Sequence, residues 1–240
     1  MITNSTPIYI TLVLEAIFWF SAYVLVVRRS FKDKSYGMPI FAMAGNITWE
    51  FILAAGFVRS CPYAWSTCPE TFFQSLNLIS MSIDVLILIT ILKYGRNQFS
   101  SPFIKKYFYP IIIYAILTFF TMQLAFMKQF GVLNPYSSDP QYIPVYDQGG
   151  PYTGFALAMM MGILLIYMLI TREDLSGQSL YIGVCMLLGN FFAFILWNVL
   201  GGAQGIITVL YINVFFVNVV YIVMYYQKAK SLGINPLKRF

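Results

Sequence analysis

The chain has 240 residues, of which 59% are hydrophobic and only 10% are charged, with a formal net charge of +6. A soluble domain carries charges on about a quarter of its residues, so this composition excludes a water-soluble globule and indicates a polytopic membrane protein. The chain has no histidine, which excludes histidine-based metal sites, histidine proton relays and Ser–His or Cys–His catalysis.

Seven apolar runs are each long enough to cross about 30 Å of hydrocarbon as a helix. In chain order they are Pro7–Val27, Met38–Val58, Thr71–Leu92, Tyr107–Phe126, Tyr152–Ile170, Ser179–Leu200 and Gly205–Tyr226. Backbone polar groups must be satisfied within lipid, and none of the runs alternates with a period of two. The sequence therefore predicts one all-α domain over residues 1–240, with seven transmembrane helices.

The basic residues predict how these helices cross the membrane. Thirteen of the 15 Lys and Arg residues fall on the side shared with the C-terminus, and only Arg59 and Lys128 fall on the other side. Basic residues collect on the cytosolic side of membrane proteins, so we expect the N-terminus outside or lumenal and the C-terminus cytosolic. The positive charge then reflects topology and attraction to anionic lipid, and we expect no nucleic-acid partner.

Two of the three cysteines, Cys61 and Cys68, lie together in a predicted outer loop, whereas Cys185 lies within the sixth helix. A disulfide between the first two would pin that loop in an oxidising compartment. Two free thiols are the alternative, and the sequence leaves both open.

A long loop over residues 127–151 divides the chain into three helices, one linker helix and three more helices. The stretch KSYGMPIFAMAGNITWEF aligns with QSLYIGVCMLLGNFFAFI, which pairs Asn46 with Asn190. A small further shift places Asp84 opposite Asn218. Halves separated by an odd number of helices share one orientation, so the pattern predicts a parallel repeat about an axis along the membrane normal.

Three acidic residues fall within predicted helices: Glu15, Glu50 and Asp84. A charged side chain at the bilayer centre costs at least about 2.5–3.5 kcal/mol, so we expect these groups to line a water-filled or substrate-filled interior. Desolvation favours the protonated acid, which is the form that a proton donor needs. Asn46 precedes Glu50 by one turn and is expected to hydrogen-bond it. The alternative is that protonated carboxyls join the helices as structural hydrogen bonds.

Aromatic side chains accompany this polar set and could stabilise a cation, although lipid-facing bulk is the alternative for each of them. They are Trp49, Phe51, Phe194, Trp197, Phe215, Phe216 and Tyr221.

A more specific pattern begins just before the second helix, where KSYGMPIFA at residues 34–42 is followed by NITWE at residues 46–50. This segment resembles the R-S-Y-x-M-P-x-x-A-L and N-x-x-W-E motifs of the small integral membrane terpene cyclases of meroterpenoid and indole-diterpene biosynthesis. The resemblance implies protonation of a terminal epoxide or alkene of a prenyl chain, a carbocation cascade, and a base that ends it. It also implies that Glu50 is the acid.

The same resemblance places a second, assisting acid on the last helix, where this chain has Asn218. An amide cannot donate an acidic proton. The matching position is therefore a turn away, or Asp84 or Glu15 takes that role, or this chain has changed its chemistry. Asn218 could still hydrogen-bond Glu50 and orient its proton.

These arguments give one set of predicted site residues, in which the catalytic residues are Glu50, Asp84 and Asn218. The predicted substrate-binding residues are Asn46, Trp49, Asn190, Trp197, Glu15 and Tyr221. We expect no metal and no cofactor, a lipophilic prenylated substrate that enters from the bilayer, contact with membrane lipid, and no obligate protein partner. The expected location is the endoplasmic reticulum for a fungal source or the plasma membrane for a bacterial one.

A small seven-helix transporter of the sugar-exporter type is the main alternative, because it would share the length, topology and parallel repeat. The lack of proline at matching places within helices one, two, five and six argues against it. A seven-helix receptor is a weaker alternative, because the predicted inner loops are very short.

Overall fold

The computed structural model describes residues 6–58, 70–130, 149–200 and 205–239. Their α-helices are α1 (Thr6–Asp33), α2 (Ile40–Ala54), α3 (Glu70–Tyr94), α4 (Pro102–Phe130), α5 (Gly149–Thr171), α6 (Leu180–Phe194) and α7 (Ile206–Ser231). A π-helical turn, Ile195–Leu200, continues α6, and two 3₁₀ helices cover Gly95–Gln98 and Pro236–Lys238. No strand occurs in these ranges, which confirms the all-α prediction. Cys61 and Cys68 lie outside the described residues.

Six of the described helices are long and apolar enough to cross a membrane: α1, α3, α4, α5, α6 with its π turn, and α7. The seventh, α2, is apolar but has only 15 residues, or about 22 Å at helical rise. Large apolar side chains such as Tyr114 and Ile170 are exposed on the outer surface. The fold is therefore that of a multi-pass membrane protein, and its orientation across the membrane stays a prediction.

The second helix is shorter than its apolar run, so the predicted end at Val58 is wrong. The α2 helix ends at Ala54 because Gly56 adopts a φ of +68°, which favours glycine. The Gly56 amide donates to the Leu53 carbonyl at 3.1 Å, and the next amide donates to the Ile52 carbonyl at 3.1 Å. This pair of bonds is a Schellman motif, which terminates a helix.

The seven helices form a ring in which α1, α3, α2, α4, α5, α7 and α6 follow one another, and α6 packs against α1. In each group of three helices the spatial order is first, third, second. A parallel repeat requires the same spatial order in both groups of helices. The repeat itself stays a prediction.

The two ends of the bundle differ in packing. We call the end where α1 begins the N-terminal side and the end where α1 ends the C-terminal side. The largest buried apolar cluster fills the C-terminal side, with members such as Val26, Ile91, Leu165 and Tyr225. The N-terminal side instead contains a cavity.

The loops of the C-terminal side are joined by Arg172, which follows α5. Its Nη1 donates to the Tyr36 carbonyl at 3.0 Å, its Nη2 donates to Gln98 Oε1 at 3.1 Å, and its guanidinium lies 4.3 Å from the Tyr36 ring centroid. A Cβ on Gly37 would collide with the Gly177 carbonyl. The KSYGMP segment therefore packs directly on the loop between α5 and α6.

Asp33 is the centre of a second contact group on this side. It accepts hydrogen bonds from Arg29 Nε at 3.2 Å, from Arg239 Nη2 at 2.8 Å and from the Gly177 amide at 2.9 Å. Arg29 Nη2 also pairs with the carboxylate. This carboxylate therefore joins the end of α1 to the loop between α5 and α6 and to the segment that follows α7. We call the contacts around Arg172 and Asp33 the loop cluster.

Candidate active site

A cavity of about 140 Å³ lies on the N-terminal side of the bundle, with described walls from α1, α2, α3, α5 and α6. Six predicted site residues line it, and they are Glu15, Asn46, Trp49, Glu50, Asn190 and Trp197. The other three, Asp84, Asn218 and Tyr221, are buried outside its described wall.

One face of α1 forms a continuous wall of the cavity. Its lining residues are Leu12, Glu15, Ala16, Trp19, Phe20 and Tyr23. Steps of three and four residues place them on a single helical face. Trp19 packs against α6, where a Cβ on Gly189 would lie 2.8 Å from the indole. The glycine thus allows the ring to approach the helix backbone.

The Glu50 carboxyl is buried in the wall formed by α2, and the residue is 4% exposed. The hydroxyl groups of Ser80 and Tyr23 interact with it, and the carboxyls of Asp84 and Glu15 lie near it. Among the described residues, its Oε2 atom has no hydrogen-bond partner. One oxygen of this buried carboxyl is therefore unsatisfied, which makes Glu50 a candidate proton donor in the cavity wall.

Asn46 joins three helices through its side chain. The Tyr23 hydroxyl donates to Asn46 Oδ1 at 3.0 Å, and Asn46 Nδ2 donates to Asp84 Oδ2 at 2.6 Å. The predicted bond from Asn46 to Glu50 is replaced by these two contacts with neighbouring helices. Asp84 is 0% exposed, so it supports the wall from behind.

Glu15 lies on α1, eight residues before Tyr23, or about 12 Å along the helix axis. Its Oε2 atom is buried and finds no hydrogen-bond partner in the described part of the chain. The described lining includes no Lys or Arg, so Glu15 and Glu50 share the cavity without a cationic side chain in its wall. Unpaired buried acids are costly, so these two carboxyls are candidates for a functional role.

Trp49 occupies the wall between α2 and α5. Its Nε1 donates to Thr153 Oγ1 at 3.0 Å and to the Gly150 carbonyl at 3.3 Å. A Cβ on Gly154 would lie 3.3 Å from the indole. Hydrogen bonds and a small neighbour therefore fix this ring beside Glu50.

Trp197 and Asn190 bring α6 into the cavity wall. Trp197 lies in the π turn, and its ring centroid is 6.4 Å from that of Phe73. π turns are rare and are frequently found at functional sites. Asn190 Nδ2 donates to the Met186 carbonyl one turn earlier at 2.8 Å, so the amide group is held by its own helix.

The predicted residues on α7 face other parts of the interior. Asn218 lies opposite Gly162 of α5, where a Cβ would be 3.6 Å from Asn218 Oδ1. Asn218 Nδ2 makes no hydrogen bond to any residue that the structure describes. The Tyr221 hydroxyl donates to the Ser179 carbonyl at 3.4 Å, towards the C-terminal side. The suggested hydrogen bond from Asn218 to Glu50 is therefore not part of this arrangement.

Sequence reasoning missed three phenylalanines of the cavity wall, Phe20, Phe73 and Phe155. It also missed Trp19, Tyr23, Asn77 and Ser80, which contribute polar groups. The helical spacing of Trp19 and Tyr23 with Glu15, and of Asn77 and Ser80 with Asp84, was the available signal. Within the described ranges, no three His, Cys, Asp or Glu side chains are grouped to hold a metal ion.

A bundle of membrane helices around a cavity lined by two acids and several aromatic rings is the arrangement expected of a membrane enzyme. Residues 5–231 match the model of the Pyr4-like transmembrane terpene cyclases. The chain belongs to this family and is a membrane terpene cyclase, as the resemblance at residues 34–50 had implied. The transporter alternative has no support.

Individual relatives agree with this assignment. The chain is 27% identical over 197 residues to the Pyr4-family terpene cyclase mfmH of Annulohypoxylon moriforme, covering 79% of this chain and 72% of the relative. It is 30% identical over 109 residues to the terpene cyclase ascF of Acremonium egyptiacum, covering 45% and 36%. It is 26% identical over 184 residues to the terpene cyclase macJ of Penicillium terrestre, covering 75% and 62%. No solved structure matches the chain.

Proposed function

We propose that Glu50 protonates the terminal epoxide or alkene of a prenyl chain and thereby starts carbocation cyclisation. The observation that carries this proposal is the buried Glu50 carboxyl, which lines the cavity and whose Oε2 has no partner among the described residues. The carboxyls of Asp84 and Glu15 are neighbours of Glu50 and oppose its ionisation. Glu50 therefore acts in its neutral, proton-donating form.

The hydroxyl groups beside Glu50 position its carboxyl. Tyr23 and Ser80 interact with Glu50, and Tyr23 is held in turn by Asn46. Asp84 binds the other end of the Asn46 amide. The chain from Asp84 through Asn46 to Tyr23 gives the acid a fixed orientation, which proton transfer in a transition state needs.

The aromatic wall suits the cation that follows protonation. Trp19, Trp49, Trp197 and Phe155 line the same cavity as Glu50. Aromatic faces attract a cation by about 0.5–2 kcal/mol each. The rings therefore shield the carbocation from water while successive carbon–carbon bonds form.

The substrate we propose is a lipophilic prenylated molecule with an aromatic, indole or polyketide head. It enters from the bilayer, because the outer surface of the bundle is apolar. Membrane lipid is the surrounding partner, and the function requires no nucleic acid and no obligate protein partner. The proposed membrane is the endoplasmic reticulum for a fungal source and the plasma membrane for a bacterial one.

The test is product formation in membranes that contain the chain or its Glu50→Gln variant. Epoxyfarnesyl and epoxygeranylgeranyl aromatic substrates are supplied, and isomers of unchanged mass are separated by chromatography and identified by mass spectrometry. We expect cyclised isomers from the native chain and a loss of at least about 100-fold in Glu50→Gln, which keeps the shape but not the acidic proton.

The matched control is Glu173→Gln, at an exposed position in the loop between α5 and α6. We expect this variant to cyclise at the native rate. Full activity in Glu50→Gln membranes would overturn the assignment of the acid, and the absence of any isomer from the native chain would overturn the proposed substrate class.

A further inference from the structure

The cavity contains a second carboxyl that the protonation step does not use. We propose that Glu15 is the base that takes up the proton at the end of the cascade. This inference rests on the proposed role of Glu50 and adds the step that completes the reaction. It draws on the Oε2 atom of Glu15, which is buried and unpartnered within the described residues, and on the place of Glu15 in the same wall.

A terminating base is required by the balance of the reaction. Glu50 gives one proton to the substrate oxygen or alkene carbon, and the electron pairs of the prenyl double bonds form the new carbon–carbon bonds. The final cation becomes neutral when a C–H bond beside it breaks and its electron pair forms an alkene. The released proton then needs an acceptor, because the product is an isomer of the substrate.

Position favours Glu15 over the other acids for this step. The reacting end of the prenyl chain is at Glu50, and each ring closure moves the cation away from that end. Glu15 is the other carboxyl of the described cavity wall. Asp84 is 0% exposed behind Asn46 and cannot touch the substrate.

Charge also favours this division of roles. Glu50 has carboxyl neighbours in both Asp84 and Glu15, and both oppose its ionisation. We therefore assign the single negative charge of the cavity pair to Glu15, which lies on α1. The described wall has no Lys or Arg to pair with that charge. The carbocation is therefore its counter-ion, and the attraction is strongest when the cation has formed.

One proton transfer then resets the site. At the start of a cycle Glu50 carries the proton and Glu15 does not, and at the end the two states are exchanged. Return of one proton from Glu15 to Glu50 restores the pair, so no other reactant is consumed.

The test compares the products of Glu15→Gln and Glu15→Asp membranes with those of the native chain. Loss of a terminating base leaves initiation intact, so Glu15→Gln should still consume substrate. We expect the ratio of native product to other products to fall at least about tenfold, because the last cation loses a different proton or is captured by water. Alkene isomers and products heavier by one water would reveal these two outcomes. Glu15→Asp should recover part of the native ratio.

An unchanged product ratio in Glu15→Gln, at any overall rate, would overturn the role of Glu15, because a purely structural residue changes the amount of product and not its identity. Complete loss of substrate consumption in Glu15→Gln would also overturn it. Failure of the Glu50 proposal is recognised separately, by cyclisation that survives Glu50→Gln.

Discussion

Asp33 and Glu50 are both largely buried acids of the same helix bundle, but their surroundings are opposite. Asp33 accepts from Arg29 at 3.2 Å, Arg239 at 2.8 Å and the Gly177 amide at 2.9 Å. Glu50 has hydroxyls and other carboxyls as neighbours, and the described cavity wall provides no basic side chain. The paired acid holds loops together, whereas the acid without a basic partner is the one to which we assign the chemistry.

The segment that resembles the family motif contributes to both regions. Tyr36 and Gly37 pack in the loop cluster, while Asn46, Trp49 and Glu50 line the cavity or hold its wall. A continuous motif therefore combines a structural part with a chemical part. Substitutions in the two parts should have separable effects on stability and on product formation.

The largest effect on stability should come from Asp33→Ala. It leaves Arg29, which is 3% exposed, and Arg239 without their shared carboxylate, and breaking such a buried pair costs about 3–5 kcal/mol. Thermal unfolding in detergent should show a clearly lower midpoint. Glu173→Ala, in the same group of loops, is the control. An unchanged midpoint for Asp33→Ala would show that the loop cluster does not hold the bundle.

The next effect should come from Tyr23→Phe in the cavity. The variant loses the hydroxyl that binds Asn46 and interacts with Glu50, so the initial rate per folded molecule should fall about 10–100-fold. Tyr167→Phe removes a hydroxyl from an exposed tyrosine of α5 and should leave the rate unchanged. Equal initial rates for the two variants would show that the Tyr23 hydroxyl does not contribute to the reaction.

A smaller effect is expected from Gly189→Ala. Its Cβ would lie 2.8 Å from the Trp19 indole, and such overpacking costs about 1–3 kcal/mol. Because the ring also lines the cavity, the product profile should shift as well. The double variant Gly189→Ala, Trp19→Phe has a smaller ring at residue 19. Its unfolding midpoint should therefore return towards the native value. A midpoint that stays low in the double variant would mean that the collision with Trp19 is not the cause.

The smallest effect should come from Thr153→Val. Trp49 Nε1 loses its 3.0 Å partner but keeps the Gly150 carbonyl at 3.3 Å, so the loss should be about 1 kcal/mol or less. The rate of product formation should fall only a few-fold. Thr171→Val, at the exposed end of α5, is the control. If Thr153→Val lost as much product formation as Glu50→Gln, the orientation of Trp49 would be as important for the reaction as the acid itself.

The sequence predicted the helices and singled out Glu50, which lines the cavity, because their signals are local. Long apolar runs need only length and composition, and Glu50 is unusual in such a run whatever surrounds it. The end of α2 was missed because Val58 is apolar, although Gly56 is the residue that stops the helix.

The rest of the site depends on how each helix is rotated within the bundle. Tyr23 and Trp19 face the cavity, while Tyr221 and Asn218 face the packed interior. All four are ordinary residues for a membrane helix, so composition does not separate them. Only the packing of α1 against α6 and of α5 against α7 selects which faces meet the cavity.

The measurement that tests this account most directly is made on Glu50→Gln and Asp33→Asn in parallel, with unfolding midpoint and product per folded molecule measured in each preparation. We predict that Glu50→Gln keeps its midpoint and loses product, whereas Asp33→Asn lowers the midpoint and keeps product. A Glu50→Gln protein that is destabilised but still forms product in proportion to its folded fraction would contradict the account, because Glu50 would then be a structural acid.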